Sequence, residues 1–497
     1  MNKKYLRGNQ KLLPLYTKFK SRDCNPLDIY NKLRIKGTSV LLDSGNTSGN
    51  IAQWSFIGMH PFIIFRSKNN RNEIIYLDTE PGVNNPKVEI MRGEPLSILK
   101  GIFNRYKVKP DCKLPPFFGG LAGFISYDMV RYFERVPSST IDDAKHYDCY
   151  FGFFKTAVAI DHRKKEIWVV TNIEHTEKAY KKGTKFLEGI KNRIKEGAYC
   201  LPCRQADSMS LQKKIKINSL RSDNTVSEYK RMVGRAKEYI KAGDIYQANL
   251  SQRFKAKIKS IDPASLYARL REINPSPFSS FFNFPDVKIV SSSPERLIKL
   301  SGDIVETRPI AGTRPRGKDK TGDKKMGKEL ILNEKERAEH IMLVDLERND
   351  LGRVCRYGSV KVDELMVLEK YSHVIHIVSN VRGRLKDGRD AFDCIRACFP
   401  GGTITGVPKV RCMEIIDELE KHRRGPYTGS AGYICFNGDM DLNILIRTIV
   451  IKDKNLYFQV GAGIVADSAP QREYEETLHK AEAMMEALSI ERGALCL

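Results

Sequence analysis

No stretch of the 497 residues approaches the ~20 consecutive apolar residues that cross a bilayer, so no membrane-spanning helix is expected. The opening MNKKYLRGNQKLLPLYTKFKSR is basic but has no apolar signal core, which points to a cytoplasmic location. Eleven cysteines, an odd number spread over the whole length, make no disulfide frame and read as thiols in a reducing compartment. The one CxxC pair, Cys200 and Cys203, has no further ligands at comparable spacing and makes no zinc site. No segment repeats at a fixed period of about 20–50 residues. Negative charge is in deficit: 60 Asp and Glu against 84 Lys and Arg leave +24. That excess is spread widely, with dense patches in 1–36 and 314–325. Neither patch interleaves aromatics as single-strand binders do, so a solvated basic surface is expected rather than a nucleic-acid or membrane partner. What remains is an ordinary globular composition, 41% apolar and 29% charged, long enough for two to four domains or for one large α/β body with an attached lobe.

Alternating runs in 38–80 predict successive antiparallel strands, and 117–137 predicts a Gly-rich turn running into a helix closed before Pro137. Strands over FFKTAVAID and EIWVVTN and a basic helix at about 176–196 complete a first lobe. Periodicity is lost near 198–222, which sets a boundary between an N-terminal lobe, 1–205, and a second domain, 222–497. The second domain opens with a helix ended at Gly243. Strands follow over DIYQANLSQRF, PFSSFFNF and KIVSSSPERLIKL, then one long helix, KKMGKELILNEKERAEHIMLVDLERNDLG. Further strands at 359–383, the turn FPGGTITGVPK, a helix, strands GSAGYICFN, NILIRTIVI and NLYFQVGAGIVAD, and a helix from about 470 close the chain. Antiparallel strand blocks broken by helices predict an α+β fold, a large β-sandwich core flanked by helices.

Two carboxylate pairs stand out, Glu336 with Glu339 and Glu473 with Glu476, each at i,i+3 on a predicted helix face. If the helices faced each other they would form an oxygen-only cage suited to Mg²⁺. The alternative is two solvated faces, with Glu476 paired to Lys480 one turn on. Gly401, Gly402, Thr403 and Gly406 precede a helix start and would leave N–H groups free for a carboxylate, or form a plain turn. The stretch is not a P-loop, because Lys409 comes too late and Pro408 has no N–H. GAGIV at 461–465 lacks the third glycine of a dinucleotide fingerprint. His373 and His376 fall on opposite faces of a predicted strand.

Taken together, DIYQANLSQRF, SSSPERL, ETRPIAGTRPRG, NEKERAEHIMLVDLERNDLGRV, YSHVIHIVS, FPGGTITGVPK, RRGPYTGSAGY, IRT and GAGIVADSAPQREYEETLHKA resemble the chorismate-utilising enzymes. The likeness is dense over 225–490 and looser in the first lobe. It implies that Glu339 and Glu476 bind Mg²⁺, with Glu336 and Glu473 in or beside the shell, and that the metal grips the ring carboxylate of chorismate. Tyr427, Arg447, Gly463 and Lys480 fall where the family binds carboxylates, and Thr403 and His376 fall beside the ring. Glu295 matches the general acid that protonates the departing C4 hydroxyl. Related isochorismate and salicylate synthases place a lysine base at Gln247. Glutamine cannot take a proton at neutral pH, so ammonia rather than water is the expected nucleophile. No Cys–His–Glu glutaminase half is present, which implies a separate glutamine amidotransferase subunit as ammonia source.

Two aminating branches fit. Ala311 in PIAGT replaces the lysine that adds to C2 in many aminodeoxychorismate synthases, and on mechanism alone favours direct amination at C2 to anthranilate. Asn249 in YQANL, Asp43 in LLDS, NPSPFSS at 274–280 and GGTITG all resemble the aminodeoxychorismate branch, and that branch is the expectation. LLES and NPSPYM, which LLDS and NPSPFSS replace, are the tryptophan feedback segments of anthranilate synthases, so the replacements speak against tryptophan inhibition. A non-catalytic basic binding module is the reading from a different class, opposed by retention of all four glutamates with Arg447 and Lys480.

Overall fold

The computed structural model describes residues 11–21, 24–33, 35, 37–44, 53–77, 86–110, 112–196, 215–317, 319–370 and 374–490. Cys200, Cys203, His373 and most of the boundary predicted at 198–222 lie outside them. Among the described residues twenty-three strands join in one hydrogen-bonded network, and the pairings that build it are antiparallel. Helices lie against it, giving the mixed helix and strand architecture with a large antiparallel sheet that the patterning predicts. Strands from either side of the predicted boundary pair directly: Ser39–Asp43 with Phe278–Asn283, and Gly120–Ile125 with Ser430–Cys435. The first pairing sets Asp43 against Ser279, joining the LLDS and NPSPFSS segments, and Asp43 is taken up by Arg271, Tyr267 and Ser55.

Two hydrophobic clusters hold the layers. One is aromatic, with Phe117, Phe124, Phe151, Phe153, Phe154 and Phe436 all buried. In the other, Tyr229, Tyr267, Leu478 and Met484 from three helices cover Leu250, Phe254 and Phe458 of the sheet. Each such side chain contributes about 1.5–3 kcal/mol when fully buried. Among the described residues no helix is long and apolar enough to cross a membrane. Among the described residues the cysteines are free thiols.

The structure corrects the sequence reading in four places. The helix predicted within 117–137 is a strand, Gly120–Ile125, followed by a 3-10 turn, Tyr127–Tyr132. All six strand residues are buried, so the alternation that marks a half-exposed strand is missing. Glycine is required there, because a Cβ at Gly123 would lie 2.0 Å from the Tyr150 carbonyl oxygen. The long helix is two, Lys320–Leu332 and Glu334–Val354, meeting at Asn333, whose side chain accepts from the Glu336 N–H at 3.0 Å. The strand KIVSSSPERLIKL is broken into Val287–Ser293 and Arg296–Ser301. NILIRTIVI is broken likewise into Met440–Ile444 and Thr448–Lys452. The last two breaks are neighbours: Val287–Ser293 pairs with Thr448–Lys452, and Arg296–Ser301 with Met440–Ile444. The sheet therefore parts at one place in both strands.

Candidate active site

At that parting the first break presents Glu295 and the second presents Arg447. Backbone bonds lock them together: the Ile444 N–H donates to the Glu295 carbonyl at 3.0 Å and the Ser292 N–H to the Arg447 carbonyl at 3.1 Å. Arg447 has φ 50°, a left-handed conformation uncommon for a residue with a side chain, which turns its guanidinium out of the strand line. The guanidinium donates to Asn274 Oδ1 at 3.3 Å. Burial lowers its pKa, and the only counterweight is the nearby Glu295 carboxyl. Burial pushes Glu295 up to about 8, reinforced by Glu347 and opposed by Thr403, the Ile310 N–H and Arg447. A carboxyl so placed keeps its proton at neutral pH. Thr403 Oγ1 makes no well-formed hydrogen bond although it lies near enough to favour the Glu295 anion.

Beside the parting opens a cleft of about 980 Å³. The Glu334–Val354 and Pro470–Ala487 helices form one wall, and Glu336, Glu339, Glu473 and Glu476 all face it. The two acidic faces read from the sequence therefore meet at one cleft, with Glu476 still exposed and paired to Lys480 one turn on. Burial pushes the Glu339 carboxyl up, with Glu336, Glu473 and Glu476 adding to the rise and Lys335 opposing it. Burial likewise raises Glu473, with Glu476 adding and Ser468, Lys480 and Lys335 opposing. Arg314 holds Glu336 at 3.1 Å. Lys480 Nζ does both things open to it: it pairs with Glu476 at 2.7 Å and donates to the Gly461 carbonyl at 3.0 Å. Among the described residues no three carboxylate, imidazole or thiol groups are drawn together tightly enough to hold a metal ion. The donor set fits one all the same: four carboxylates repelling each other across a shared cleft are what a divalent cation with oxygen ligands would bridge.

The opposite wall carries Gln247, Ala311, Thr403, His376, Arg447 and Gly463. Gln247 and Asn249 lie two apart on the Gln247–Ser260 strand and so share a face. Asn249 opposes Gly463, and Ser251 opposes Gly461, on the Asn455–Ile464 strand. These glycines make room: a Cβ at Gly463 would lie 2.5 Å from Gln247 Nε2, and one at Gly461 would lie 2.6 Å from Asn249 Oδ1 and 2.8 Å from the Tyr427 hydroxyl. Tyr427 stands behind the glycines rather than in the wall, buried with Arg424 against its ring. His376 bonds to the Thr313 hydroxyl at 2.9 Å and to the Gly312 carbonyl at 3.2 Å. Burial lowers its pKa to about 4, so it is neutral at physiological pH. GAGIV lies in a strand that ends at Ile464, with no helix directly after it, as its rejection as a fingerprint requires.

Sequence reasoning missed Lys335, Asn274 and Arg314. Each lies inside a quoted motif but at a position given no role there, and only the fold brings it to the cleft. It also left open what the glycines of GGTITG would bind. The Glu347 carboxyl lies against Gly402, so the acidic group at this turn is the protein's own.

A cleft with carboxylates on one wall and half-buried cationic and amide groups on the other suits a small ring bearing carboxylates more than a polymer. Residues 53–486 match the chorismate binding enzyme family, and the chain belongs to it. It is similar to anthranilate synthase component 1 of Aquifex aeolicus, 41% identical over 491 residues and 98% of this chain and 96% of that one. It is equally similar to aminodeoxychorismate synthase component 1 of Bacillus subtilis, 43% identical over 451 residues, 91% of this chain and 92% of that one. The crystal structure of anthranilate synthase component I from Streptococcus pneumoniae superposes with a TM-score of 0.75 at 32% identity, covering 88% of this chain and 93% of that one. The chain is thus a chorismate-utilising enzyme whose relatives belong to both aminating branches.

Proposed function

We propose that the chain is the aminating subunit of an aminodeoxychorismate synthase, joining ammonia to chorismate to give 4-amino-4-deoxychorismate. The observation that carries the reading is the side chain that reaches the space beside Gly463: an amide, Gln247, where water activation would need a base. Ammonia is already nucleophilic and needs no such base. The relatives' designation as component 1 supports a second subunit, which we infer to be a glutamine amidotransferase delivering that ammonia in the cytoplasm.

Glu336, Glu339, Glu473 and Glu476 would hold Mg²⁺, which when bound neutralises and orients a substrate carboxylate. Arg447 offers a planar fork to a carboxylate, and Lys480 a compact charge. Glu295, protonated below about pH 8, stands beside Arg447 and Thr403 to give its proton to the departing hydroxyl. Neutral His376, fixed by Thr313 and Gly312, lies at the ring.

Anthranilate synthase is the second reading, favoured by Ala311, which lines the cleft and cannot add to C2 as a lysine would. Incubating the purified chain with chorismate, Mg²⁺ and ammonium separates the two. The expected product releases an aminobenzoate only after a lyase is added. Anthranilate fluorescence without a lyase would overturn the assignment and establish the other branch.

Gly463→Ala tests the amide directly. Its methyl would displace Gln247 from the cleft wall, and a misplacement of about 1 Å at a reacting centre costs on the order of 100-fold. Ammonia-dependent turnover should fall by about that factor while the melting temperature stays near wild type, because the clash is with one side-chain end.

A further inference from the structure

Arg424 and Glu420 form an ion pair behind the cleft, 4% and 5% exposed, just past the end of the Lys409–Leu419 helix. A guanidinium has five N–H donors, and the fold gives each of them a partner. Nε donates to Glu420 Oε2 at 2.9 Å and Nη2 to Glu420 Oε1 at 2.7 Å, a bidentate pair. Nη2 donates also to the Asn249 carbonyl at 2.6 Å, and Nη1 to the Ile404 carbonyl at 3.0 Å and to the Thr428 hydroxyl at 3.3 Å. The Tyr127 and Tyr427 rings lie 4.8 and 5.6 Å from the guanidinium carbon. Glu420 is anchored in turn. Its Oε1 accepts from the Ser251 N–H at 2.9 Å and from the Ser251 hydroxyl at 2.7 Å, and Gln459 Nε2 donates to that hydroxyl at 2.8 Å.

Both carbonyls belong to segments that line the cleft. Asn249 lies two residues past Gln247 on the wall opposite the glutamates, and Ile404 directly follows Thr403. The Asn249 N–H donates to the Thr405 carbonyl at 2.8 Å, and the Thr405 hydroxyl to the Gly401 carbonyl at 2.8 Å, so strand and turn already meet there. We propose that Arg424 is a positioning residue for the nucleophile's side of the cleft: its fork ties the Asn249 and Ile404 carbonyls together and so fixes Gln247 and Asn249 against Thr403. The proposal rests on Gln247 marking that side. Glu420 covers the buried charge, and the two carbonyl bonds set the geometry. Lysine could replace the charge but not the fork, because three donors on one nitrogen cannot span a carboxylate and two carbonyls that Arg424 reaches from three separate nitrogens. Glu420→Gln makes the opposite change: the fork stays and its charge is uncovered.

The test sets stability against catalysis in two variants, reading chorismate consumption by the full chain with Mg²⁺ and ammonium. Glu420→Gln leaves a buried charge without its anion and should lower the melting temperature more than Arg424→Lys, which keeps a cation in place. Turnover should rank the other way. In Arg424→Lys kcat should fall by about 100-fold, the cost of a misplacement of about 1 Å. Its dissociation constant for chorismate, titrated calorimetrically without ammonium, should stay within about threefold, because Arg447 and Lys480 belong to other segments. Glu420→Gln should keep kcat per folded molecule within about threefold of wild type. A residue that only stabilises the fold would lower turnover in both variants in step with the folded fraction, and that result would overturn the proposal. So would an Arg424→Lys enzyme with kcat near wild type, one whose loss lies in chorismate affinity, or a folded Glu420→Gln protein as slow as Arg424→Lys. If Glu420→Gln does not fold, the split between kcat and the chorismate dissociation constant in Arg424→Lys decides alone. The underlying reading fails separately, in the wild type: chorismate consumption that does not depend on ammonium would remove the role of the amide wall, whatever Arg424 does.

Discussion

Glu295→Gln is expected to slow chorismate consumption by about 10²–10⁴-fold, the usual contribution of one general acid, or roughly 3–5 kcal/mol of barrier. Glutamine preserves the shape of the side chain but has no acidic proton to give. The wild-type enzyme should show the matching pH dependence. Burial sets the Glu295 pKa at about 8, above its ordinary value, so the competent protonated form prevails below that pH and is lost above it. Rate constants at fixed free ammonia should be flat toward neutrality and fall as pH rises through about 8. The variant should lack this limb. A Glu295→Gln enzyme that keeps both its rate and the limb would assign the proton to another group.

The second large effect is expected at the acidic wall. Glu339→Gln should raise the Mg²⁺ concentration needed for half-maximal activity by about 100-fold or more, since loss of even an outer-shell partner costs about 10–100-fold. A thermal melt gives a readout free of activity. Without divalent cation the variant should melt at or above the wild-type temperature. The folded-state pKa of Glu339 is raised, so its anion opposes folding once pH exceeds the unfolded-state value, and removing the charge relieves the Glu336, Glu473 and Glu476 repulsion. Added Mg²⁺ should stabilise wild type by mass action and the variant much less. Equal stabilisation of both would remove Glu339 from the metal site.

Much of the fold was legible, because long amphipathic helices and half-exposed strands follow their periods closely. The Glu177–Glu196 and Pro470–Ala487 helices and the Gln247–Ser260 and Asn455–Ile464 strands stand where their patterns put them. Gly120–Ile125 does not, since a strand buried on both faces carries no period to read. The identities of the site residues were legible through motifs, yet their arrangement was not. Glu295 and Arg447 sit in runs that look like unbroken strands, and only the pairing of two separate runs makes both stop at one point. Glu336 sits likewise just past a junction between helices that looked continuous, its N–H capped by Asn333. Lys335 and Glu347 have no pattern of their own, being one charge among many on a helix until neighbours from distant segments enclose them.

The shared parting of the two strands makes the chemistry intolerant of length changes. A strand advances about 3.3 Å per residue and reverses its faces with each step. One residue inserted between Ile444 and Thr448, or between Ser293 and Arg296, would slide proton donor and guanidinium out of register while leaving most of the sheet intact. Evolution can therefore exchange side chains along this seam, but it cannot add to the seam or trim it.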